Sequence, residues 1–185
     1  AGTNSILRGT VNLPLGGLQK DDGIVWTANS ANNSYLFLRM LAGTFRLGND
    51  NAIATNSYVR TDGGVLDLAG FNQTIAGLVN TRATPQTVIA NSSADNDSRL
   101  NVTTLSSDAP WITGCIISNS IAPGARKISV TLSGGATLVL TNANTFTGDT
   151  TISAGTLALS GIGSIANSTP IILANGTTLD ASARN

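Results

Sequence analysis

Gly43–Asp67 reads GTFRLGNDNAIATNSYVRTDGGVLD, and Gly155–Asp180 reads GTLALSGIGSIANSTPIILANGTTLD. The first glycines lie 112 residues apart, as do Ile53 and Ile165, and the closing Asp67 and Asp180 lie 113 apart. One inserted residue between Val59 and Leu66 accounts for the drift. Both stretches open on the phrase Gly-Thr, apolar, any residue, apolar, which also occurs as Gly9-Thr10-Val11-Asn12-Leu13. Close variants are Gly64-Val65-Leu66-Asp67-Leu68 and Ala136-Thr137-Leu138-Val139-Leu140. Alternation of period two over a few residues is the pattern of a half-buried strand. The Gly, Asn, Asp and Ser on either side supply turns and left-handed backbone. Ile128–Leu132, Leu100–Val102 and Pro170–Leu173 read as further short strands.

Repetition at two scales points to a stacked, quasi-one-dimensional architecture. An antiparallel sandwich is the competing topology, but its strands usually run about five or six residues and are joined by tight hairpins. Here Asp62-Gly63 and Asn175-Gly176 occupy the same place in the long repeat and read as corners between successive strands of a coil. The residues therefore predict an all-β solenoid of parallel coils with small aliphatics inside.

The composition agrees. Asn, Ser and Thr supply 61 of 185 residues beside 20 Gly, all ten acids are Asp, and Lys20 and Lys127 are the only lysines. Good helix formers are nearly absent, so a helical protein is excluded. With no His, the usual base near neutral pH and the commonest metal ligand are both missing. A net charge of zero argues against nucleic acid and anionic membranes as partners. No apolar run reaches the length that spans a bilayer, so no membrane insertion by this segment is expected. The start Ala1-Gly2-Thr3 lacks an initiator Met and reads as a mature or excised segment. Cys115 is single and is read as a buried hydrophobe. Seven Asn-x-Ser/Thr sequons, at Asn32, Asn72, Asn91, Asn96, Asn101, Asn167 and Asn175, are only a weak argument for glycosylation in so Asn-rich a chain.

Residues 1–185 are read as one domain, with a less regular stretch at about 80–133 that holds the polar run Asn91–Ser98. That run is expected to be a long corner loop. Asp95 and Asp97, with Asn96 and Ser98, are the only calcium candidates, and they lack the remaining ligands of a calcium loop. Asp21-Asp22 point to opposite faces if on a strand and read as an exposed turn. Asp67 and Asp180 recur at one repeat position, which predicts corner capping through nearby N–H groups. A lyase site would need clustered acids beside an Arg such as Arg60, Arg82 or Arg99, and no such cluster shows in the linear spacing. Lys20 and Lys127 read as solvated rather than as isopeptide partners. Trp26, Tyr35, Phe37, Trp111 and Phe146 look too scattered for a sugar platform, although an exposed pair would reopen that reading.

Gly134–Leu157, with Asn142-Ala143-Asn144-Thr145-Phe146-Thr147-Gly148, Thr150-Thr151-Ile152 and Ala154-Gly155-Thr156-Leu157, resembles the autotransporter-associated β-strand repeat, also called the passenger-associated transport repeat. Gly43–Ile53 and Gly64–Leu78 look like the segment that precedes it, so the resemblance covers about residues 43–78 and 134–182. It implies a right-handed parallel β-helix, extracellular or on a bacterial cell surface, usually inside a larger polypeptide. Gly43, Thr44, Asp67, Asn142, Asn144, Gly148, Gly155, Thr156 and Asp180 are then structural repeat residues. No barrel segment or aromatic-terminated last strand is present, so this chain alone would not anchor in an outer membrane.

The expectation is a non-enzymatic stalk, adhesin or fibre without cofactor or metal. Repeat phrases run close to both ends with no cap, so the ends are expected to continue in a longer parent chain or to self-associate into filaments. The second reading is a carbohydrate-binding or degenerate polysaccharide-lyase-like β-helix. It requires aromatic or Arg/Asp side chains aligned on one face of successive coils.

Overall fold

The computed structural model describes residues 5–7, 9–80, 86–104, 110–119 and 126–185. The chain winds through about eight coils. The first coil carries β1 (Ser5–Leu7) and β2 (Asn12–Lys20), the second β3 (Val25–Ala28) and β4 (Ser34–Met40), the third β5 (Thr44–Leu47) and β6 (Tyr58–Thr61). Three strands then form each coil: β7 (Val65–Asp67), β8 (Gln73–Ile75) and β9 (Gly77–Val79) in the fourth, β10 (Val88–Ala90), β11 (Ser98–Val102) and β12 (Trp111–Thr113) in the fifth. The sixth has β13 (Ile116–Ile117), β14 (Ile128–Leu132) and β15 (Thr137–Leu140). The seventh has β16 (Thr150–Ile152) and β17 (Thr156–Gly161), the eighth β18 (Ile171–Leu173) and β19 (Thr178–Arg184), with an Ala143–Ser164 bridge joining them on the remaining side.

Every strand pairing is parallel and links a coil to the next. Three faces result. The first is β1-β3-β5-β7-β10-β13 and the second β8-β11-β14-β16-β18. The third is β2-β4-β6-β9 followed by β12-β15-β17-β19, joined where Asn80 N–H donates to Ile112 O at 3.2 Å. This is the parallel β-helix that the alternating phrases predict.

In-register stacking sets like residues on like, with Leu138 beside Leu157 and Leu140 beside Leu159. The inward positions Phe45, Leu66, Ile89 and Ile117 on the first face, and Ile75, Val102, Leu132 and Ile152 on the second, are all essentially fully buried. Each full burial of such a side chain contributes about 1.5–3 kcal/mol. A one-residue slip would turn this set to solvent, so the register is strongly specified. The core is mostly aliphatic, with Tyr35, Phe45 and Phe146 also inside.

Coil length is not constant. On the first face, Val25, Thr44, Val65, Val88 and Ile116 are register neighbours in turn, giving spacings of 19, 21, 23 and 28 residues. The less regular stretch at about 80–133 supplies β10 to β14 to the same three faces, and its coils are the long ones because corners are inserted there. The run Asn91–Asp97 is such a corner, tied to the next coil by Arg126 N–H to Ser93 O at 3.3 Å and Lys127 N–H to Asp97 Oδ1 at 2.9 Å.

The 112-residue repeat does not superpose coil on coil. Thr44–Leu47 lies on the first face while its counterpart Thr156–Gly161 lies on the third, and Tyr58–Thr61 of the third corresponds to Ile171–Leu173 of the second. The repeat is displaced by one face, so the interchangeable unit is a strand with its corner, not a whole coil.

Candidate functional site

The repeat residues build the corners. Gly43 and Gly155 hold φ of +68° and +76°, and their carbonyls accept from Val65 N–H at 2.8 Å and Thr178 N–H at 3.2 Å on the next coil. Thr44 and Thr156, each following its glycine, begin β5 and β17 and donate back through N–H to Ile24 O and Ala136 O. Gly148 N–H reaches Ile128 O at 3.0 Å, so near that a Cβ would fall 2.2 Å from that oxygen. Asparagine side chains stand in for missing ladder partners. Asn142 Nδ2 donates to Gly114 O at 2.8 Å, and Asn144 Nδ2 donates to Ser164 O at 3.0 Å while its Oδ1 accepts from Ile117 N–H at 2.9 Å.

Asp67 and Asp180 behave alike locally although they lie on different faces: each Oδ1 accepts the N–H two residues on, from Ala69 at 3.0 Å and from Ser182 at 2.9 Å. Asp67 does more. Its buried carboxylate also accepts from Arg46 Nε at 2.7 Å, Ser92 N–H at 3.0 Å and Ser92 Oγ at 2.7 Å, bridging three coils.

Lys20 corrects an expectation. It is fully buried, not solvated, because its ammonium pairs with the Asp22 carboxylate, donates to Asp22 O at 2.6 Å and Ala42 O at 3.3 Å, and lies 5.3 Å from the Trp26 ring centroid. The Lys20 hydrogen bond holds the Asp22 carboxyl below the usual range. Lys127 is exposed. Cys115 is a free, fully buried thiol pushed up to about 11 by desolvation, hence protonated and unreactive at neutral pH.

The second face carries a polar cleft of about 460 Å³ lined by Asn72, Asp97, Ser98, Arg99, Ser129 and Asp149, and a smaller one of about 260 Å³ adjoins it around Arg99 and reaches Asp50. Register explains the gathering, since Arg99 pairs with Ser129 and the strands of β14 and β16 set Asp149 next in line. The linear spacing hid this cluster because its members sit on different coils. Arg82 lies outside the described residues, and Arg60 is on the third face. Among the described residues no three acids or thiols are placed to hold a metal ion, and Asp97 is engaged by Lys127 N–H. The Ser129 hydroxyl donates to Asp149, and this bond, with the Arg99 charge adding, holds the Asp149 carboxyl below the usual range against partial desolvation. A lowered carboxyl stabilises the fold above its unfolded pKa and loses that contribution as pH falls through the folded value. The gap in melting temperature between the wild type and Asp149→Asn is therefore expected to stay constant near neutrality and shrink below about pH 4. A gap independent of pH would refute this.

The aromatic residues are less scattered than their positions in the chain suggest. Tyr35 and Phe146 are core residues and Trp26 covers Lys20. Phe37, Tyr58 and Trp111, however, form one column on the third face. Phe37 and Tyr58 are register partners with ring centroids 5.6 Å apart and planes at 28°, and Tyr58 and Trp111 are 5.6 Å apart at 54°. Arg60 lies 5.5 Å from the Phe37 ring centroid. Glycines flank the column: a Cβ on Gly17 would fall 2.2 Å from the Phe37 ring, and one on Gly77 2.5 Å from the Trp111 ring.

No curated protein and no solved structure matches the chain. The family profile described as Passenger-associated-transport-repeat matches residues 130–159. Those residues run from within β14, through β15 and β16 and the Asn142–Gly148 corner, into β17, so the chain carries a passenger-associated transport repeat laid across two coils of a parallel β-helix.

Proposed function

We propose that this chain is a non-enzymatic structural segment of a bacterial passenger-type protein, shown at the cell surface or secreted, serving as a stalk, fibre or adhesin scaffold. The repeat family implies a secreted or cell-surface protein. The absence of any His supports a role without chemistry, and so does the lowering of Asp149, which leaves the carboxylate that accepts from the Ser129 hydroxyl in the larger cleft a weak base.

The observation that carries the reading is the passenger-associated transport repeat laid across two coils of the parallel β-helix, and its fibre form is tested at the last coil. Ile171, Ile172 and Leu173 of β18 are 41%, 47% and 46% exposed, although Thr150 and Ile152, the register partners of Ile171 and Leu173 one coil earlier, are buried. Both alternating sets are exposed because β18 and β19 each pair on one side only. An apolar coil with an open hydrogen-bonding edge is a template for another coil. We take end-to-end stacking of copies as the testable form. Electron microscopy of the concentrated, purified chain is expected to show filaments one solenoid wide, and Ile172→Asp with Leu173→Lys is expected to leave single particles. Compact monomers alone at every concentration would sink the stacking version.

A further inference from the structure

We propose that the third face of coils 1 to 5 binds a linear, carboxylate-bearing polysaccharide laid along the solenoid axis.

The first argument is periodicity. Gly17, Phe37, Tyr58 and Gly77 are successive register partners on β2, β4, β6 and β9. Neighbouring strands are spaced about 4.8 Å apart, so Phe37 and Tyr58, the two side chains of this column, are set apart on the scale of one sugar ring, with a glycine to either side of them. A polymer of repeating rings can meet such a column unit by unit, and a globular partner has no need of it. The same face loses the feature further on. There the outward columns are Thr137, Thr156, Thr178 and Val139, Ala158, Asp180, with no ring among them.

The second argument is how the rings lie. A Cβ on an outward strand residue stands roughly normal to the sheet. Atoms of the Phe37 ring occupy the space where a Gly17 Cβ would stand, and atoms of the Trp111 ring do so at Gly77. Both rings have folded sideways over a glycine of another strand, as aromatics do when they cover a glycine on a sheet surface. The Phe37 ring is also stacked by Tyr58, and Phe37, Tyr58 and Trp111 are all only partly buried. Aromatic rings that keep part of their surface in solvent suit the C–H face of a pyranose, an apolar surface edged with hydroxyls. Leu36 and Ile112, 49% and 50% exposed, border the column with further apolar surface.

The third argument is charge. Arg39 is paired with Asp62 and Arg46 with Asp67, whereas Arg60 forms no ion pair among the described residues. Its guanidinium is held beside the Phe37 ring, a planar five-donor fork that matches a carboxylate in two-point contact. A stacking platform with an uncommitted arginine at its edge selects sugar acids over neutral sugars.

The test is gel electrophoresis of the purified chain through polygalacturonate, alginate, hyaluronate, dextran or poly(dT), beside Tyr58→Ala and Arg60→Gln, with the melting temperature of each variant measured. At least one of the three uronate polymers is expected to retard the wild type and dextran is not. Each variant is expected to weaken uronate binding about tenfold or more, the loss of one good contact. Arg60→Gln removes no ion pair seen here, so it decides the matter even if Tyr58→Ala unfolds. No retardation by any uronate polymer, retardation that Arg60→Gln keeps, or poly(dT) binding as tight as the best uronate would each overturn the proposal.

Discussion

Gly155→Ala is expected to destabilise the solenoid by about 3 kcal/mol or more, while Gly176→Ala costs about 1–2 kcal/mol. The two glycines have nearly the same backbone, with φ of +76° and +77°, so the left-handed strain of an added Cβ is common to both. They differ in what the Cβ meets. At Gly155 it falls 2.4 Å from Ala136 O and 2.5 Å from Gly134 O, main-chain atoms of the preceding coil, whereas at Gly176 nothing lies within 4 Å. Those carbonyls are not free to retreat, because Ala136 O already accepts from Thr156 N–H and β15 and β17 are locked in register just beyond. Overpacking of this kind adds about 1–3 kcal/mol to the backbone strain. Urea unfolding of both variants measures the difference, and equal losses would show that corner packing contributes nothing.

Asp67→Ala is expected to cost about 3–5 kcal/mol, the range for stripping one partner from a buried charged network. The carboxylate is fully buried and accepts from Arg46, from two N–H groups, and from the Ser92 hydroxyl. Its removal leaves the Ala69 and Ser92 N–H groups without their acceptor. The Arg46 side chain is 40% exposed and water can take over part of its hydration, which places the loss toward the lower end. Asp180→Ala removes a similar local N–H contact from a more exposed site and is expected to cost under about 1 kcal/mol. Faster hydrogen exchange at Ala69 and Ser92 in Asp67→Ala, with no change in Asp180→Ala, would locate the effect. Equal costs for the two would refute it.

The strands were legible because alternation is a local property. Thr44–Leu47, Val65–Asp67, Ile128–Leu132 and Thr137–Leu140 emerge as β5, β7, β14 and β15 nearly residue for residue. The corners were legible too, since positive φ asks for glycine at Gly43 and Gly155 and a missing ladder partner asks for an amide such as Asn144. What lies beside what was not. Neighbours across coils are 19 residues apart between Val25 and Thr44 but 30 between Ser98 and Ile128, so no single period lines up a column. Phe37 and Tyr58 are 21 positions apart and Trp111 a further 53, and Arg99 and Asp149 are 50 apart. Their meeting depends on how much chain each corner consumes. Lys20 was misread for a related reason: its acceptors Asp22 O and Ala42 O come from two different corners, and only the stacked coils bring them to one ammonium.

Strict neighbour-to-neighbour pairing has a mechanical corollary. Each inner coil is bonded only to the coil before and the coil after, so a pull on one end is expected to load a single boundary at a time and to peel the coils off in turn from that end. A detached coil of 19 residues at the Val25–Thr44 step, or of 30 at the Ser98–Ile128 step, frees contour length in proportion. At about 3.4 Å per residue that is roughly 65 Å for the short coil and roughly 100 Å for the long one. The variable corners thus grade the length that each detached coil would release, with the longest releases in the middle.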